Sequence, residues 1–113
     1  MSTFSPADDW APEACTLPTV EQPSRVAEFD ELFARSLQGV DRVEPTWLRL
    51  RLDATAEAAA RDLAAREASC CSFFTFAFAA EANGELRLDV TVPPTYVDVL
   101  DAFAGRAAKA LSA

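Results

Sequence analysis

Thr46-Trp47-Leu48-Arg49-Leu50-Arg51-Leu52 alternates almost cleanly between apolar and polar residues. Successive side chains of an extended chain point to opposite faces, so Leu48, Leu50 and Leu52 share one side and Trp47, Arg49 and Arg51 the other. This pattern predicts a half-buried strand. Its leucine face needs a second layer of structure to cover it.

The next segment supplies such a layer. About residues 54–69 are rich in alanine, the strongest helix former, and Asp53 or Thr55 can cap the helix. Ala56, Ala60, Leu63, Glu67 and Cys70 trace one stripe, and its small side chains permit close approach to a sheet. Residues 73–80 then predict a strand with Phe74, Phe76 and Phe78 on one face. Residues 86–92 predict another, with Leu86, Leu88, Val90 and Val92 inward and Arg87, Asp89 and Thr91 outward. Asn83-Gly84 marks the hairpin turn between them.

Pro93-Pro94-Thr95 ends that strand and opens a final helix over about residues 95–111. Val97, Leu100, Ala104, Ala107 and Leu111 supply its apolar face, with Phe103 beside it. Upstream, a helix from Pro23 or Ser24 to about Leu37 presents Val26, Phe29, Phe33 and Leu37, with Leu32 at the edge; Gly39 supplies its stop signal.

The expected fold class is therefore α+β, a two-layer sandwich in the order α-β-α-β-β-α. A three-stranded mixed or antiparallel sheet carries helices on one face. Residues 1–22, with Pro6, Pro12 and Pro18, are expected to form an irregular arm able to pack on the body, and residues 23–113 a single domain. The pattern leaves open whether the first strand neighbours the second or the third. A parallel pairing of the first two would require a right-handed crossover.

Eighteen acidic residues against ten basic ones leave a formal charge of −8 over 113 residues. Such a chain repels a phosphate backbone, so no direct nucleic-acid partner is expected. Met1-Ser2-Thr3-Phe4-Ser5-Pro6 lacks the basic start and apolar run of a secretory signal, and no stretch approaches the ~20 apolar residues that span a bilayer. The expectation is a cytoplasmic protein with no membrane partner.

Histidine is absent, which removes His-assisted nucleophiles, zincin motifs and nucleobase-deaminase signatures. Ser72 and Thr75 consequently make no triad. Asp53, Asp89, Asp98 and Asp101 fall on a cap, a sheet face and a helix, so they specify no paired-carboxylate hydrolase.

The distinctive chemistry is sulfur. Cys15, Cys70 and Cys71 are odd in number and two are adjacent, which argues against a simple disulfide framework. Glu67-Ala68-Ser69-Cys70-Cys71 crosses from helix to strand, and residues three or four apart on a helix share a face, so Glu67 can approach both thiols. Cys15 could add a third sulfur if the arm folds over this junction. Thiolates favour soft ions, whereas zinc would want a fourth ligand, Glu67 or water.

The same residues also have plainer readings. A free cysteine packs as a small hydrophobe, and Glu67 could be a last-turn carboxylate held by Arg66, Arg49 or Arg51. A helix C-terminus does not favour a low-pKa thiol, so redox chemistry is less supported. The outer sheet face is mixed but aromatic. Trp47, Phe73 and Thr75 on it are candidate homodimer contacts, set against a solvated face partly covered by residues 1–22.

Ala14-Cys15-Thr16-Leu17-Pro18, Glu28-Phe29-Asp30-Glu31-Leu32-Phe33 and Glu67-Ala68-Ser69-Cys70-Cys71-Ser72-Phe73-Phe74-Thr75-Phe76 carry a resemblance. Over about residues 14–108 the chain resembles a group of small uncharacterised actinobacterial proteins with a Cys-Cys-Ser-Phe-Phe block. It also looks like a domain sometimes attached to heavy-metal-responsive regulators of the mercury-regulator type. That association implies Cys15, Cys70 and Cys71 as positions for mercury, arsenite or another thiophilic ligand, without implying a transcription factor. The expected function is thiol-dependent binding or sensing of a soft metal or metalloid. The alternative is a small interaction or homodimerisation domain with structural cysteines, and a thiol-dependent or metal-assisted enzyme ranks below both.

Overall fold

The computed structural model describes residues 22–70 and 73–112, with the side chains of residues 22–26 and of Cys70 outside the description. Helix α1 (Gln22–Ser36) runs directly into strand β1 (Leu37–Glu44), which turns back as β2 (Trp47–Asp53). Helix α2 (Glu57–Cys70), strands β3 (Thr75–Ala80) and β4 (Glu85–Thr91), and helix α3 (Val97–Ser112) follow, with short 3-10 turns at Ala54–Ala56 and Pro94–Tyr96. The class is α+β, as the alternation implied.

Among the described residues the sheet has four strands rather than three, in the order β1-β2-β4-β3, and every neighbouring pair is antiparallel. The element order is thus α-β-β-α-β-β-α. The additional strand, β1, has no clean alternation and contains Gly39 and Asp41, residue types depleted in strands. It lies at a sheet edge, mostly exposed, with Leu37 and Val40 packed against the core, and takes its conformation chiefly from the ladder with β2. Gly39 is a strand residue and not the helix stop.

Strand β4 lies between β2 and β3, so the first expected strand neighbours the third. Strands β2 and β3 run in the same direction without touching in the ladder, and no parallel pair forms among the described residues. At the β3–β4 turn Gly84 adopts φ 87°, a left-handed conformation that glycine takes without steric cost. Asn83 supports the turn by accepting the Glu85 N–H at 3.0 Å.

The inward faces agree with the alternation: Leu48, Leu50, Leu52, Leu86, Leu88, Val90 and Val92 are all buried. On α2 the buried positions are Ala60, Leu63, Ala64 and Glu67, preceded by Ala56, so the small-residue stripe does face inward. On α1, Phe29 and Phe33 are buried with Leu32 packed against the core.

Helix α3 departs from its expected face. Leu100, Phe103 and Ala107 are buried, while Leu111 is 44 % exposed. Phe103 sets this rotation, because its ring meets Phe29, Phe33 and Phe74 at centroid distances of 5.2, 5.6 and 5.7 Å. Burying one large ring among three others outweighs burying a leucine at a helix end. Arg106 and Asp30 clamp α3 to α1 in a two-pronged ion pair, with Nε donating to Oδ1 at 2.9 Å and Nη2 to Oδ2.

Candidate thiol site and interface residues

Cys15 and Cys71 lie outside the described residues, as does the arm over residues 1–21. Cys70 is the last residue of α2. Glu67 sits one turn earlier on the buried stripe and is 1 % exposed, the only buried charged residue among those described. Helical spacing places positions 67 and 70 on the same side of α2.

Arg66, Arg49 and Arg51 each have at least one carboxylate beside them. Arg66 bridges Glu28 at 2.8 Å and Asp62 at 3.0 Å, Arg49 meets Asp89 at 2.8 Å, and Arg51 lies 3.7 Å from Asp41. Arg66 is held above its ordinary pKa first by the hydrogen bond to Glu28. Among the described residues no three His, Cys, Asp or Glu side chains converge on a metal-sized site.

The outer face of the sheet forms a ladder of charges. Register sets Asp41 opposite Arg49, Arg49 opposite Asp89, and Arg51 opposite Arg87. The like-charged Arg51 and Arg87 are relieved from either side, by Asp41 and by Glu81, the latter 3.0 Å from Arg87. A hydrogen bond from Arg49 to Asp89 raises the pKa of Arg49, which keeps that guanidinium charged. Trp47 is half-buried at one end of this face with Arg49 5.1 Å from its ring, and its indole N–H is enclosed without an acceptor among the described residues.

Of the three candidate contact residues, Trp47 and the exposed Thr75 do occupy the outer face. Phe73 does not. It precedes β3, is buried, and stacks on Tyr96 at 4.3 Å with the rings 7° from parallel. Strand β3 begins two residues later than the alternation suggests, because two successive phenylalanines both find core contacts at the junction.

A groove of about 420 Å³ opens between α1 and α2, floored by Leu32 and Leu63. Its charged walls are joined internally by the Arg66–Glu28, Arg66–Asp62 and Arg35–Glu31 pairs. One further contact has no counterpart in the sequence pattern: the Arg61 guanidinium lies 4.6 Å above the ring of Phe78 at the β3 side of the sheet. Only the packing of α2 on β3 brings them together.

Comparison with protein-family models, with curated proteins and with solved structures returns no match to this chain. No helix among the described residues is long and apolar enough to cross a membrane.

Proposed function

We propose that this chain binds a soft metal or metalloid ion through thiolates, with Cys70 and Cys71 as principal ligands, Cys15 as a third, and Glu67 behind them. The observation that supports this reading is the position of Glu67. It is a carboxylate 1 % exposed, one turn ahead of Cys70. Helical spacing sets it on the same side of α2 as position 70, so a carboxylate held in the core can orient a thiolate ligand from behind and add negative charge near a bound cation.

Thiolates are the binding form, so loading releases protons and weakens as pH falls. Three sulfurs suit arsenite or mercuric ion, whereas zinc requires a fourth ligand. The test combines native mass spectrometry with thiol alkylation, using arsenite, mercuric and zinc ions in turn. One ion per chain and slowed alkylation of Cys70 and Cys71 are expected, both lost in the Cys70→Ser/Cys71→Ser variant. Glu67→Gln should weaken loading about 10–100-fold, the range typical of a group that supports metal ligands from behind. No stoichiometric adduct with any of the three ions, together with unchanged alkylation, refutes the reading.

A further inference from the structure

The two edges of the sheet are β1 and β3, and they differ in kind. Strand β1 carries Asp41, Arg42 and Glu44, and its register with β2 shifts twice, between Leu37 and Gly39 and between Arg42 and Glu44. Arg42 folds back across it, donating to the carbonyl oxygens of Glu44 and Pro45 at 3.2 and 2.7 Å and to Asp101 at 2.7 Å. Charge and irregularity of this sort keep a strand from pairing with another chain.

Strand β3 has none of these devices. Thr75-Phe76-Ala77-Phe78-Ala79-Ala80 contains no charge, no proline and no glycine, and it pairs with β4 residue for residue from Thr75 opposite Thr91 to Ala80 opposite Leu86. Among the described residues no strand lies on its other side. Phe76 and Phe78 pack against the margin of the core on the helix side and are only half-buried, and the Arg61 guanidinium lies 4.6 Å over the ring of Phe78. The opposite side presents only Thr75, Ala77 and Ala79.

We propose that β3 is the edge through which two copies of this chain join, antiparallel and two-fold related, so that two four-stranded sheets become one of eight strands. This rests on the homodimer reading of the sequence but moves the contact from the outer sheet face to the edge, and it is independent of the thiol reading. A second copy fits because the strand complements itself. Opposed residues in an antiparallel pair share a face, so the two-fold axis passes through a residue rather than between two, and Ala77 or Phe78 gives the six-residue strand its fullest overlap.

The first register sets Phe76 against the other copy's Phe78, and the second sets Phe78 against itself. In both, phenylalanine meets phenylalanine or alanine on the helix side; on the other side Thr75 meets Ala79 in the first register, Ala77 meets Ala79 and Thr75 meets Glu81 in the second, and no like charges oppose each other. That neutrality matters in a chain of formal charge −8, whose copies otherwise repel. The flanking helix α2 offers both signs there, as the Arg61–Glu57 pair at 2.8 Å.

Sedimentation of the full chain across about 1–500 µM, with amide hydrogen exchange at the same concentrations, tests the proposal. A concentration-dependent dimer is expected in which β3 amides gain protection as the dimer forms and β1 amides do not. Ala77→Lys/Ala79→Lys places charge at the edge on the solvent side, where Asp89 lies opposite Ala77, and should weaken the dimer at least tenfold. Trp47→Ala should change it less than about twofold. A dimer sensitive to Trp47→Ala and indifferent to the lysines, with β3 exchange independent of concentration, overturns the edge while leaving homodimerisation standing. A monomer at every concentration overturns both, and so does a monomer whose β3 amides are already protected, because another segment of the same chain would then cover the edge. Should the lysine variant fail to fold, the exchange profile of the unaltered chain decides the same question.

Discussion

Gly39 on β1 stands opposite Arg51 on β2, and the arginine side chain lies over it. A Cβ at Gly39 would fall 1.9 Å from Nη2, 2.2 Å from Cζ and 2.6 Å from Nε of Arg51. All three are atoms of one flexible side chain, so Gly39→Ala displaces the guanidinium and leaves the sheet backbone in place. What is lost is the 3.7 Å contact with Asp41, between side chains 43 % and 60 % exposed, and an ion pair that wet is worth about 0–1 kcal/mol. What is gained is a less disordered unfolded chain. Gly39 has no positive φ, so alanine fits its backbone and contributes about 0.4–1 kcal/mol. The two terms nearly cancel, and the expected change is within about 0.5 kcal/mol of zero. In an Arg51→Ala background there is nothing left to displace, and Gly39→Ala should stabilise by about 0.4–1 kcal/mol. Urea unfolding of the four proteins of this cycle measures both quantities. A loss above about 2 kcal/mol that persists without Arg51 refutes the reasoning, since the clash would then lie in the backbone.

Phe103→Ala removes the ring shared by Phe29, Phe33 and Phe74 and should cost about 3–5 kcal/mol, a large part of the stability of a small domain. Chemical unfolding checks it, and a loss below about 1 kcal/mol would mean that the cluster collapses around the gap. Asp53 caps the turn into α2, and its carboxyl is held below the usual 3.8 first by the Thr55 backbone N–H and then by the Thr55 hydroxyl. A depressed folded pKa gives stability that is present in full above the unfolded value and lost as pH falls through the lower folded one. Asp53→Asn keeps an acceptor but does not titrate, so its melting temperature should fall less steeply than that of the unaltered chain below about pH 4. Equal slopes would show that the cap contributes nothing to the acid limb.

Much of the candidate site is legible in residue spacing. Glu67 falls on the stripe of Ala56, Ala60 and Leu63 by helical periodicity, and all four are buried. Its enclosure to 1 % requires the sheet and neighbouring helix in place. Phe73 shows the opposite case, since an alternating pattern assigns it to the outer face while the junction before β3 turns it onto Tyr96. Phe103 stands beside the α3 face by periodicity and is the centre of that face in the fold, because its ring cluster draws on separate elements.

Periodicity alone therefore specified the three helices, strands β2 and β4, most of β3, the Asn83-Gly84 turn and the α+β class, because side-chain direction follows from backbone geometry a few residues at a time. Strand β1, the β1-β2-β4-β3 order and the place of β3 at a sheet edge among the described residues came from the assembled fold. An edge strand with a wet face leaves almost no apolar signature, and which strands pair depends on contacts between distant segments, to which local periodicity is blind.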